Sequence, residues 1–167
     1  MDNNLPTVTS GERKQFSGEI QLVSFMLGGE EYGVEVLKVR EIIRMPEITK
    51  MPNVPHFIDG IISLRGKVIP IVSLRRKFGL SDLEYDVHTR IMIMEIGGKQ
   101  TGFVVDAVSE VIRIPASEIQ PPPPLVGGCA AEQDMINGVF SHEKRLLVLI
   151  EADRLLTDGQ QGLLANY

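Results

Sequence analysis

An internal repeat limits the fold of this chain more than any other feature of the sequence. The segment YGVEVLKVREIIRMP, which begins at Tyr32, aligns with TGFVVDAVSEVIRIP, which begins at Thr101, and seven of the fifteen positions are identical. The identical pairs are Gly33/Gly102, Val36/Val105, Val39/Val108, Glu41/Glu110, Ile43/Ile112, Arg44/Arg113 and Pro46/Pro115. Gly-Gly pairs at 28–29 and 97–98 precede both segments at the same offset. The repeat predicts two copies of one structural unit.

A second part of the repeat follows with a different offset. FIDGIISLRGKVIPIV, from Phe57, aligns with MINGVFSHEKRLLVLI, from Met135. The extra residues of the second copy fall in a loop rich in proline and glycine, where insertions are tolerated most easily. Each copy contains about five short apolar runs bounded by turn residues. Together these patterns predict two similar small β-barrels packed together.

The clearest hairpin signal lies between Phe57 and Phe78. Two apolar runs, 61–64 and 68–72, are joined at Arg65-Gly66-Lys67, where Gly66 supplies the positive φ that a tight reversal needs. Pro70 has no amide hydrogen, so we expect it at a sheet edge or a bulge. The hairpin tip carries two cations, and the local pattern alone favours a simple solubilising role for them.

Composition narrows the class of protein further. The net charge of −5 argues against a general nucleic-acid binder. A single cysteine, Cys129, excludes an intramolecular disulfide framework and is typical of a reducing compartment. The chain has neither an apolar run of membrane-spanning length nor the pattern of a signal peptide. We therefore expect a soluble cytoplasmic protein.

The sequence shows no catalytic or cofactor-binding pattern. Histidines are scattered, with no metal-ligand spacing, at His56, His88 and His142. The Gly-Gly pairs sit in hairpins, so they do not resemble a phosphate-binding loop. Cys129 has no neighbouring histidine that would activate it as a nucleophile. We predict no enzymatic activity, no cofactor and no metal.

Four motifs in order resemble the CheW family of bacterial chemotaxis coupling proteins. They are GGEEYGVEVLKVREI, ITKMPNVPHFIDGIISLRGKVIPIVSLRRKFG, GFVVDAVSEV and IQPPPP, and the resemblance extends from about Gln21 to Leu156. It implies a mainly β fold of two SH3-like five-stranded β-barrels with short helices. It also implies a non-enzymatic adaptor that binds the regulatory domain of the histidine kinase CheA and the cytoplasmic tip of chemoreceptors. Such a protein is cytoplasmic and is recruited to receptor arrays at the membrane.

The same resemblance suggests domain boundaries. Residues 1–17 would form a disordered tail, 18–157 the CheW-like domain and 158–167 a C-terminal tail. The first barrel would span about 20–79 and the second about 88–151, and an exchange of segments between them stays open.

The resemblance also implies two binding sites. Receptor-binding residues would be Val36, Val39, Glu41, Arg65, Val105 and Val108. Kinase-binding residues would be Ile48, Asp59 and Gly60. Ser63 departs from the family pattern, which has asparagine there, and a hydroxyl caps a turn more weakly than an amide.

Three other classes of protein compete with this interpretation. The regulatory domain of CheA shares the fold, but the chain has no room for the other kinase domains. A nucleic-acid-binding small β-barrel would use the cations at 65, 67, 75, 76 and 77, against the acidic balance and the scarcity of aromatic residues. An enzyme is the third class, and no residues favour it.

Overall fold

The computed structural model describes residues 18–122, 135–156 and 160, and its regular structure is mainly β. Ten strands share the described residues with one short α-helix, α1, and three single 3-10 turns. The strands are β1 (Glu19–Leu27), β2 (Glu30–Glu35), β3 (Val39–Arg44), β4 (Ile58–Leu64), β5 (Lys67–Ser73), β6 (Arg90–Ile96), β7 (Lys99–Val105), β8 (Ala107–Pro115), β9 (Ile136–His142) and β10 (Arg145–Ile150). Helix α1 spans Leu74–Lys77, and the 3-10 turns span Val36–Lys38, Ala116–Glu118 and Ala152–Arg154.

Some sequence predictions fall outside the described residues. These are the N-terminal tail at 1–17, the loop that contains Cys129, and the C-terminal tail apart from Gln160. Within the described ranges, no helix is long and apolar enough to cross a membrane.

The strands form two five-stranded sheets. The order in the first, barrel A, is β8-β1-β2-β10-β9, and the order in the second, barrel B, is β3-β6-β7-β5-β4. Each barrel contains one parallel pair, β2 with β10 and β5 with β7, and its other pairs are antiparallel. The prediction of a mainly β fold with two five-stranded barrels is confirmed.

Each barrel is built from both copies of the repeat. Strands β1 to β5 correspond to β6 to β10, so the two sheet orders are the same once equivalent strands are exchanged. Barrel A combines β1 and β2 with β8, β9 and β10, whereas barrel B combines β6 and β7 with β3, β4 and β5. Residues 20–79 and 88–151 therefore each contribute strands to both barrels.

Turn geometry follows the repeat. Gly28 and Gly29 have φ of 62° and 83°, and the equivalent Gly97 and Gly98 have 59° and 81°. Two consecutive positive φ values are the mark of a two-residue hairpin turn whose twist suits the flanking strands. At the 64–67 tip Arg65 also adopts a positive φ, 51°, beside Gly66 at 79°. The reversal is therefore two residues long, and Lys67 already belongs to β5.

We expected Pro70 at a sheet edge or a bulge, but it does not lie on an edge strand. It sits within β5, an interior strand of barrel B. The ladder with β7 covers only 71–73, so Pro70 precedes it and removes no hydrogen bond from it.

The apolar residues form three clusters. Barrel A has its own core around Leu22 and Leu147, and barrel B has one around Ile71 and Ile91. The largest cluster takes residues from both barrels and fills the space between them. Successive strand residues point to opposite faces, so Leu22 faces the core of barrel A while Val23 packs into the shared cluster. The interface between barrels is thus part of the core of the molecule.

Candidate functional site

Two connections carry the chain from one barrel to the other. The first crossover, Val36–Lys38, leads from β2 in barrel A to β3 in barrel B, and the second, at 105–107, leads from β7 back to β8. The predicted receptor residues Val36, Val39 and Val108 lie at these crossovers, half-buried against the shared cluster. Val105 lies there too, but its side chain is fully buried. Val105 therefore supports this region from beneath and is not on its surface.

Leu37 is a surface residue that the sequence analysis missed. It lies in the middle of the first crossover, between the half-buried Val36 and the start of β3, with 88% of its surface exposed. The repeat gave no signal for Leu37, because the equivalent residue of the second copy is Asp106. Leu37 adds exposed apolar surface next to the half-buried Val36, and grouped apolar surface of this kind, unlike a lone exposed residue, is typical of protein-binding sites.

Ion pairs fix both crossovers to the helical turns at the ends of the repeats. Arg75 of α1 donates two hydrogen bonds to Asp106, at 2.9 and 3.1 Å, and the Gly28 amide donates a third at 2.9 Å. On the other crossover Lys38 Nζ lies 2.8 Å from Asp153 Oδ2. The hydrogen bonds raise the pKa of Arg75 and of Lys38 above their ordinary values. The polarity is reversed between the two places, with the acid on one crossover and the base on the other.

Glu41 and Arg65, both predicted receptor residues, form a bidentate ion pair. Arg65 Nη1 and Nη2 lie 2.5 and 2.7 Å from the two carboxylate oxygens. Hydrogen bonding from Arg65 holds the pKa of Glu41 below its ordinary value. The pair joins β3 to the β4–β5 turn, and β3 and β4 are the two outer strands of barrel B. Arg65 is still 70% exposed, so its guanidinium is oriented yet accessible.

The structure brings the predicted kinase residues Ile48, Asp59 and Gly60 together. Thr49 exchanges two backbone hydrogen bonds with Ile61, at 2.9 and 2.8 Å, which places 48–49 against a bulge in β4. Gly60 lies in that bulge at a φ of 150°, and a Cβ there would come within 2.2 Å of the Thr49 carbonyl oxygen. Asp59 and Gly60 are buried, so Ile48 is the member that reaches the surface.

Asp59 belongs to a polar network under the 81–89 segment. Tyr85 Oη donates to one Asp59 oxygen, and Arg76 Nη2 lies 3.4 Å from the other. Arg76 also donates to Asp82 at 2.8 Å. Burial and the bond to Asp59 raise the pKa of Tyr85 well above its ordinary value. The network borders a cavity of about 490 Å³ that is lined by both acidic and basic side chains. Asp59 therefore contributes to the internal structure of barrel B.

The cations that would favour nucleic-acid binding are largely neutralised. Arg65, Arg75 and Arg76 each face a carboxylate at 3.4 Å or less. Lys77 Nζ lies 4.8 Å from the centre of the Phe57 ring and donates to Gln160 at 2.6 Å. Phosphate binding by any of the three arginines would first break a pair with a carboxylate, so the structure does not favour that class.

Within the described ranges, one set of side chains has the composition of a metal site. Glu110, His142 and Glu143 bring one ligand atom each to within 4.8 Å of one another. Sequence spacing did not indicate this group, because β8 and the β9–β10 hairpin meet only in the folded barrel.

The two interlocked five-stranded β-barrels, joined by two crossovers, define a double-barrel β module. The profile of the CheW-like domain family matches residues 21–160. The chain is 36% identical over 146 residues to the chemotaxis protein CheW of Klebsiella aerogenes, covering 87% of each protein. It is 34% identical to the CheW of Bacillus subtilis, covering 81% of this chain and 86% of that one.

A solved structure of a CheW protein is also similar to this chain. The scaffolding protein TtCheW from Thermoanaerobacter tengcongensis superposes with a TM-score of 0.77 at 37% identity, covering 87% of this chain and 93% of that one. The chain belongs to the CheW-like domain family, and it is a chemotaxis adaptor.

Proposed function

We propose that the protein couples chemoreceptors to the histidine kinase CheA by binding both partners without catalysing a reaction. The receptor tip binds at the crossover surface, which consists of Val36, Leu37, Val39 and Val108, with Val105 beneath it. The observation that carries this assignment is the 88% exposure of Leu37 among half-buried valines. Burying one such side chain at an interface contributes about 1.5–3 kcal/mol.

The Glu41–Arg65 pair extends the receptor-binding site along barrel B. The pair holds the guanidinium in one orientation before a partner arrives, so less side-chain entropy is lost on binding. Arginine offers a planar set of donors that suits carboxylate and carbonyl groups of a partner.

The regulatory domain of CheA binds barrel B around Ile48. Support for this site is its rigidity: the Thr49–Ile61 bridge and the Gly60 bulge hold Ile48 in place. Asp59 and Gly60 shape the site from within. The protein acts in the cytoplasm and joins receptor arrays at the membrane through these two contacts.

Titration with separate partners tests the proposal. The labelled protein should bind the regulatory domain of CheA and a receptor-tip fragment saturably, each with micromolar or tighter affinity, equivalent to about −8 kcal/mol or better. Duplex DNA should bind only weakly and lose affinity steeply with salt. Salt-resistant DNA binding together with no kinase binding would contradict the adaptor function.

A further inference from the structure

Glu110, His142 and Glu143 meet where barrel A closes. Glu110 lies on β8, His142 ends β9 and Glu143 occupies the turn to β10, and β8 and β9 are the outer strands of their sheet. His142 Nε2 lies 3.3 Å from Glu110 Oε2. This is a hydrogen-bond distance, and it is also the separation of about 3.3 Å that two ligands bonded to one tetrahedral zinc ion at 2.0–2.1 Å would have.

The other barrel shows what occupies the equivalent place. By the repeat, Glu110 corresponds to Glu41, and Glu143 corresponds to Arg65. In barrel B the guanidinium of Arg65 lies between the outer strands and binds both oxygens of Glu41. Barrel A keeps the glutamate on its outer strand but has a second carboxylate where barrel B has the cation. Two carboxylates facing each other repel, and a bound cation removes that repulsion.

We propose that Glu110, His142 and Glu143 form a binding site for a divalent transition-metal ion of the zinc class. The ion takes the place that the Arg65 guanidinium has in barrel B and joins the two outer strands of barrel A. An imidazole with two carboxylates is a donor set that suits zinc, whereas calcium and magnesium prefer oxygen ligands alone. Three protein ligands leave a coordination position open, which a water molecule or a group from a partner protein can fill.

Two properties of the site follow from its ligands. The ligands bind a metal ion only in their deprotonated forms, so zinc and protons compete for the site. Because the ion joins β8 to the β9–β10 turn, and only the folded chain brings these together, binding also stabilises the fold.

Calorimetric titration of the full chain with zinc chloride tests the proposal. A Cys129→Ser background removes the thiol as a competing ligand. We expect saturation at one ion per chain at pH 7.5 and no comparable heat with magnesium chloride. His142→Leu, which introduces the residue found at the equivalent Leu64, should weaken zinc binding roughly 100-fold.

Two further variants make the test specific. Glu143→Arg is compatible with the turn, because Arg65 adopts a φ of 51° where Glu143 has 50°. It should abolish zinc binding and raise the melting temperature without metal, since the new arginine pairs with Glu110. The matched control, His56→Ala with His88→Ala, removes two exposed histidines and should leave the affinity unchanged within about twofold. Zinc binding that survives His142→Leu, that disappears in the control, or that never saturates would overturn the proposal.

Discussion

At the scale of one residue, replacing the exposed Leu37 should affect partner binding but not folding. Its side chain is 88% exposed, so Leu37→Ser removes almost no buried surface and should leave the melting temperature unchanged within about 1 °C. If the receptor covers this side chain, the same change should weaken receptor-tip binding roughly 10- to 100-fold. Titration calorimetry with the receptor-tip fragment measures the loss.

Val87→Ser is the matched control for Leu37→Ser. Val87 is 80% exposed but lies in the 81–89 segment, which is not part of either crossover. Receptor affinity should not change in this variant. Equal losses in both variants would show that Leu37 has no special place in the interface.

Arg65 and Glu41 allow a charge-exchange experiment. Arg65→Glu removes the ion pair and places a second carboxylate opposite Glu41. Because the site is largely exposed, the melting temperature should fall by no more than about 3 °C. Binding of receptor and kinase together should weaken roughly 30-fold or more, because the partner now meets the opposite charge. Lys67→Glu on the same hairpin should act mainly on the association rate and its dependence on salt.

The double variant Glu41→Arg with Arg65→Glu separates two roles of this pair. It restores a pair across the outer strands, so the melting temperature should recover. If Arg65 contacts the partner directly, binding stays weak. Recovery of full affinity would instead mean that the pair only shapes barrel B. Pull-down of the receptor–kinase complex, quantified against wild type, distinguishes the two results.

Two carboxylates, Glu41 and Asp82, contribute to the acid sensitivity of the fold. Hydrogen bonds from Arg65 and Arg76 lower the pKa of Glu41 and of Asp82 in the folded state. A lowered folded pKa stabilises the protein above the unfolded pKa, about 4, and this stabilisation disappears as pH falls through the folded value. Melting temperatures measured from pH 5.5 to 3 should therefore fall less steeply for Glu41→Gln with Asp82→Asn than for wild type. Parallel curves would contradict this account.

At the residue scale, sequence reasoning found positions that the repeat marks and missed those that depend on folded geometry. Val36 and Val105 were identified as equivalent, but only the structure shows that one is half-buried and the other fully buried. Asp59 had no visible partner in the sequence, because Tyr85 reaches it from 26 residues further along the chain. Burial and long-range pairing depend on how strands are placed, and local patterns do not contain that information.

At the scale of elements, the bulge in β4 links the Ile48 segment to barrel B. Gly60→Ala would place a methyl group 2.2 Å from the Thr49 carbonyl oxygen at a φ of 150°, which only glycine adopts without strain. We expect a loss of about 2–4 kcal/mol in the free energy of unfolding, measured by chemical denaturation.

Ser63→Ala on the same strand is the control for Gly60→Ala. Ser63 is exposed, so its replacement should change the free energy of unfolding by no more than about 0.5 kcal/mol. A Gly60→Ala protein as stable as wild type would show that the bulge relaxes without cost.

Turn chemistry was the most predictable level of this structure. Gly-Gly pairs and the Arg65-Gly66 tip have the positive φ values that hairpin reversals require, and such signals are local. The position of Pro70 was not predictable in the same way. Its tolerance depends on where the β5–β7 ladder begins, which pairing with the distant β7 decides.

At the scale of the whole molecule, the repeat predicted two barrels but left the distribution of the strands between them open. Equivalent strands from the two copies have similar apolar patterns. The sequence therefore does not decide whether a strand pairs with strands of its own copy or with those of the other copy. The structure has the exchanged arrangement, in which the crossovers at 36–38 and 105–107 interlock the barrels. The same arrangement places Val36, Val39, Val105 and Val108 where the chain changes barrel, whereas Glu41 and Arg65 lie on barrel B.

Because each barrel takes strands from both repeats, a cut between the repeats should leave the protein folded, but neither half should fold alone. Cleavage in the 81–88 segment, which is exposed and lies between β5 and β6, leaves every strand pair intact, so the nicked protein should stay folded. A fragment that ends at residue 80 contains β1 to β5, which belong to different sheets, and the fragment from 89 onward has the same defect. Neither fragment completes a barrel or buries the shared cluster, so neither should unfold cooperatively by circular dichroism.

Mixing the two fragments should restore the native spectrum and a single cooperative transition that depends on concentration, as expected for two chains that fold together. Each fragment alone, at the same total concentration as the mixture, provides the control and should stay unfolded. Cooperative unfolding of either fragment alone would show that one repeat can close a barrel by itself, and that the exchanged pairing is not needed for stability.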